Sequence, residues 1–125
     1  MNKNTRITTV KLVQEIGSKI NWSAKENKQL VESFLVLKNT DEVKNFLRDL
    51  MTQSEIQEFA NRLEAASLLS KDVQYNAIIE STGLSSTTIA RISKWLKGSL
   101  GGYRLVLNRL NHHTPSKFRK GLYLN

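Results

Sequence analysis

Cysteine is absent from the 125 residues, which excludes disulfides, thiolate zinc sites and a cysteine nucleophile. Proline occurs once, at Pro115, and glycine only six times. Val, Ile, Thr and the aromatic residues never alternate over the length of a strand, so helices must carry most of the backbone hydrogen bonds. An all-α, multi-helix fold is expected. No window approaches the roughly eighteen apolar residues of a membrane span, and the opening MNKNTRITTVKLVQEIG lacks the apolar run of a signal peptide. The expectation is a soluble, cytoplasmic protein with no membrane partner.

Acidic residues are scarce in one half only. The net charge is +8; residues 1–70 hold ten Lys/Arg against nine Asp/Glu, whereas residues 71–125 hold nine against two. A one-sided basic excess attracts polyanions, nucleic acid first and an acidic membrane surface or protein second. A merely solubilising surface is the plain alternative, but such surfaces usually mix both signs.

Several helices follow from spacing. Ser23 is a candidate cap for a helix to about Lys38, with Leu30, Phe34, Leu35 and Leu37 near one face. Thr40 is a candidate cap for a short helix with the stripe Val43, Phe46, Leu47 and Leu50. TQSE, Thr52–Glu55, fits a capping box, after which Ile56, Phe59, Leu63, Ala66 and Leu69 define a buried face to about Ser70. Asp72 is a candidate cap for the next short segment. Beyond Gly98, Tyr103, Val106, Leu107 and Leu110 share a face, and a basic tail follows.

The segment STGLSSTTIARISKW, residues 81–95, has the make-up of a helix-turn-helix. Gly83 suits the left-handed residue of a tight turn between two steeply crossing helices. Ile78, Ile79, Leu84, Ile89, Ile92 and Leu96 fall at the inward positions that must be apolar for the two to pack. Ser85 or Ser86 can cap the second helix. Ser86, Thr87, Ala90 and Lys94 then lie on its outward face, with small side chains at the leading end, as a helix needs in order to lie deep in a ~12 Å major groove. Lys94 and Lys97 can reach phosphates. The plainer reading is an ordinary surface helix whose Ser/Thr residues gather at its start as caps.

With these residues in place, about 50–110 resembles the tryptophan-repressor superfamily, and most of all its tryptophan-repressor-like branch. The resemblance rests on LMTQSE opening the long helix, Arg62, TGLSSTTIAR as turn and recognition helix, and GYRLVLNRL closing the domain. It implies an interlocked helical homodimer whose recognition helices enter successive major grooves of double-stranded DNA. It also implies an effector pocket at Thr52, Arg62 and Arg91, where the repressor holds tryptophan between two arginines. Where the repressor has a glycine and a serine, however, this chain has Ile92 and Trp95. Those side chains are expected to fill the pocket, so tryptophan is not expected to bind, and an effector of another kind stays open. The initiator protein of bacterial chromosome replication carries a related DNA-binding domain, so the fold leaves the process open.

Trp95 is expected in the core or an interface rather than as a platform for bases. His112 and His113 lack the acidic or thiolate neighbours of a metal site. No nucleophile with a base, phosphate loop or metal motif is found, so neither an enzyme nor a cofactor is expected. The expected organisation is an N-terminal segment, 1–22, a helical DNA-binding and dimerisation domain, 23–111, and a basic tail, 112–125. DNA-binding candidates are Ser85, Ser86, Thr87, Thr88, Ala90, Lys94 and Lys97. The function expected is sequence-specific transcriptional regulation by a homodimer; the rival is a sequence-tolerant architectural or replication accessory protein.

Overall fold

A computed structural model describes the backbone of residues 19–121 and side chains as far as His112. Among the described residues there are six helices and no strand: α1 (Lys25–Leu35), α2 (Thr40–Leu50), α3 (Gln53–Ser70), α4 (Tyr75–Thr82), α5 (Ser86–Lys97) and α6 (Gly102–Gly121). The expected N-terminal segment lies almost wholly outside them. The chain divides after Gln53 into two compact units.

In the first unit the helix starts differ from those read by spacing. The N-cap of α1 is Ala24, with no side-chain bond, while Ser23 donates its amide to Asn21 Oδ1 at 3.0 Å. The cap of α2 is Asn39, not Thr40: its side chain accepts from the Glu42 amide at 2.9 Å, and Glu42 Oε1 accepts from the Lys38 amide at 2.8 Å. Asn39 thus serves the Glu42 amide, while the Glu42 carboxylate reaches past the cap to the Lys38 amide. Phe34 and Phe46 meet edge to face with centroids 5.4 Å apart. Neither α1 nor α2 buries a residue, and Leu30, Val31, Phe34, Leu35, Val36 and Leu50 are all exposed.

The core belongs to the second unit. Ala65 and Ala66 of α3, Ile78 of α4, Leu84 of the turn, Ile89, Ile92 and Leu96 of α5 and Leu107 of α6 form one buried cluster, with Ile78 and Ile89 wholly enclosed. Each of those two isoleucines contributes about 1.5–3 kcal/mol over its exposed state. The buried face of α3 centres on two alanines, while Phe59, expected on that face, stays 46% exposed. Asp72 caps nothing at α4, whose N-cap is Gln74. It is instead the left-handed residue, φ 62°, that ends α3, where the Asp72 amide bonds Leu69 O and the Val73 amide returns to Leu68 O. The backbone of α6 is helical to Gly121, into the stretch expected as a tail.

Candidate nucleic-acid interface

The turn between α4 and α5 is built as the sequence indicates. Gly83 closes α4 in the left-handed region, φ 75°, its amide bonding Ile79 O at 2.8 Å. Thr82, which the sequence reading passed over, fastens the same corner from inside: its buried hydroxyl donates to Ile78 O at 2.7 Å and accepts from the Leu84 amide at 3.2 Å. A threonine four residues after a core isoleucine and next to the turn glycine is the signal that could have found it. Leu84 is thereby held in the core, and α5 starts in a fixed direction.

Ser85 is the N-cap of α5, accepting from the Thr88 amide at 3.1 Å and donating its hydroxyl to Thr88 Oγ1 at 3.0 Å. Of the four hydroxyl residues proposed for DNA, Ser85 and Thr88 are therefore occupied with each other. Ser86 and Thr87 are exposed, and their hydroxyls make no hydrogen bond among the described residues. The rest of α5 is two-faced: Ile89, Ile92, Ser93 and Leu96 are buried, and Ser86, Thr87, Ala90, Arg91, Lys94 and Lys97 are exposed. No carboxylate pairs with Arg91, Lys94 or Lys97 among the described residues. After Glu80 the sequence contains no Asp or Glu at all, so every charged side chain that α5 itself carries is cationic.

Thr52 belongs to the first unit, Arg62 and Arg91 to the second. Arg62 is engaged by its own helix, Nε bonding Glu58 Oε2 at 3.0 Å with the guanidinium carbon 5.4 Å from the Phe59 ring centroid. Ile92, expected to fill a ligand pocket, is 3% exposed and part of the core cluster. Its branched side chain spends its volume in packing. Trp95 lines an apolar groove of about 440 Å³ with Leu63, Leu100, Gly102, Tyr103 and Val106. Burial in this region pushes the Tyr103 hydroxyl above its ordinary value of 10.0, and the Arg62 guanidinium pulls part of that back. The raised value means the folded state holds its proton while the unfolded chain releases it. Stability should be level below pH 10 and fall as pH climbs through the folded-state value. Thermal melts from pH 9 to 11 should show a shallower decline in Tyr103→Phe than in the parent.

No helix among the described residues is long and apolar enough to cross a membrane, and no three His, Asp or Glu residues gather there as a metal site. Two short helices at a glycine turn, the second presenting a small, polar, cationic face, define a helix-turn-helix protein. The model of the family described as Trp repressor protein matches residues 25–111, and the chain belongs to that family of DNA-binding regulators. It is 40% identical over 86 residues to the uncharacterised protein YerC of Bacillus subtilis, an alignment covering 69% of this chain and 83% of the relative. It also resembles the crystal structure of a TrpR-like protein from Eubacterium eligens, with a TM-score of 0.66 and 35% identity over 72% of this chain and 93% of that one.

Proposed function

We propose that the protein is a sequence-specific regulator that reads double-stranded DNA as a homodimer, with α5 as the recognition helix. The observation that carries this is the division of labour along α5. Ser85 and Thr88 are consumed in capping, Ser86, Thr87 and Ala90 leave a slim leading edge whose hydroxyls are unbonded among the described residues, and Arg91, Lys94 and Lys97 follow with no ion pair there. Small donors at the front suit base edges, and unpaired cations behind suit phosphates.

The rival is a sequence-tolerant DNA binder that uses the same cations. Titration with salt on random and selected duplexes separates the two: a regulator keeps a preference of about a thousandfold or more for its site, while an architectural protein keeps none. In the same assay Lys94→Ala and Lys97→Ala should each weaken binding to all duplexes alike and lower the salt slope by about one, as expected when a single phosphate contact is removed. Unchanged slopes would place the phosphate contacts elsewhere.

Free tryptophan is not its corepressor in this reading. The support is that Arg62 is already paired with Glu58 and set against Phe59, and that an indole of the chain itself, Trp95, stands where the family has a small hydroxyl. Calorimetry with tryptophan in millimolar excess should give no saturable heat; a saturable heat accompanied by tighter DNA binding would contradict this.

A further inference from the structure

A helix that reads DNA at its leading end must be held at both ends, because any rocking of its axis moves the leading residues off the base edges. Gly83, Thr82 and Ser85 hold the front of α5. At its rear the last carbonyls have no intrahelical partners. Trp95 O accepts from the Gly98 amide at 3.1 Å. The carbonyls of Leu96 and Gly98 are both taken by Arg104, whose Nη1 donates to Leu96 O and, at 2.8 Å, to Gly98 O. Arg104 lies in the first turn of α6, so its guanidinium bridges the end of one helix to the start of the next.

The link between them leaves room for this bridge. Gly101 adopts φ 75°, and a Cβ placed on it would come 3.1 Å from Arg104 Nη2. A cation at a helix C-terminus also meets the negative end of the helix dipole, which favours Arg104 at α5. Leu96 itself is in the core, so a guanidinium fixed to its carbonyl is fixed to the packed part of the molecule.

We propose that Arg104 is a positioning residue for DNA reading: it clasps the C-terminus of α5 to α6 and so holds the recognition helix at a fixed pitch, without touching DNA. Its consequence for binding rests on α5 being the recognition helix, whereas the clasp itself does not. Both bonds leave one nitrogen, Nη1, so a lysine ammonium offers donors enough for the two carbonyls, but its flexible stem holds them less firmly than the rigid, planar guanidinium.

Hydrogen exchange on the full-length free protein tests the clasp without DNA. Arg104→Gln should speed exchange of the Trp95–Gly98 amides about tenfold, equivalent to ~1.4 kcal/mol, and Arg104→Lys should restore part of the protection. On DNA, Arg104→Lys should lower the preference for a selected over a random duplex while leaving the salt slope unchanged, since the charge is kept. Unchanged amide protection in both variants overturns the clasp. Unchanged protection together with a slope lower by about one in Arg104→Gln also overturns it, and makes Arg104 a phosphate contact. If the parent protein prefers no duplex, the recognition-helix assignment falls, and the exchange data alone decide whether the clasp exists.

Discussion

Ser86→Glu and Thr87→Glu each reduce affinity for the selected duplex by roughly a thousandfold, down to the level of random DNA, with the fold intact. Both positions are exposed at the front of α5, and neither hydroxyl is used among the described residues. A carboxylate there meets the acceptors of base edges and the phosphates on either side, so its effect is repulsive as well as the loss of a contact. The same carboxylate sits within the first turn of the helix, where the positive end of the dipole favours it, so α5 is not weakened. Fluorescence anisotropy on selected and random duplexes, with thermal melts of the free variants, measures both parts. Parent-like affinity in a folded variant would remove α5 from the groove. Ser85→Glu is a poorer probe, because Ser85 caps the helix and a change there mixes folding with binding.

A second large effect is expected from the first unit. Helices of eleven residues are marginal in water on their own, and neither α1 nor α2 has a fully buried residue. Their exposed apolar residues, Leu30, Val31, Phe34 and Leu35 on α1 and Leu50 on α2, need a covering surface. The second unit likewise leaves Phe59, Leu100, Leu105, Val106 and Leu110 exposed. We take a second copy of the chain to be the cover, in keeping with the two half-sites that helix-turn-helix dimers read. Melting temperature should therefore rise with protein concentration. Phe34→Asp, which appears twice in a symmetric dimer, should raise the dissociation midpoint by roughly a hundredfold or more. Sedimentation detects both effects; a folded monomer at micromolar concentration would contradict them.

The helix-turn-helix was the most legible part of the chain because its rules are local. A left-handed glycine, a serine before the helix and six aliphatic residues at fixed offsets follow from backbone sterics and helical period, and Gly83, Ser85 and the Ile78 to Leu96 set stand as those rules require. Caps were less legible where neighbours could compete. Asn39 and Thr40 can both cap, and the extended backbone of Asn39, φ −155° and ψ 174°, decides between them. Asp72 has the chemistry of a cap but is used as a helix-ending left-handed residue, a choice set by how α3 stops. The stripe read for α3 included Ala66, which is buried, but it passed over Ala65 and misplaced Phe59, because small side chains let other residues approach closely there. Arg104 had no local signal: its partners lie six and eight residues back, and only the fold brings them within reach.

The most direct test of the account is selection of bound duplexes from a random pool by the full-length protein. A sequence-reading homodimer should enrich a two-fold symmetric site with half-sites about one helical turn apart, and Thr87→Glu should enrich none. Recovery of duplexes with no shared sequence, at the same affinity as the starting pool, would contradict the account and leave a protein that binds DNA by charge alone.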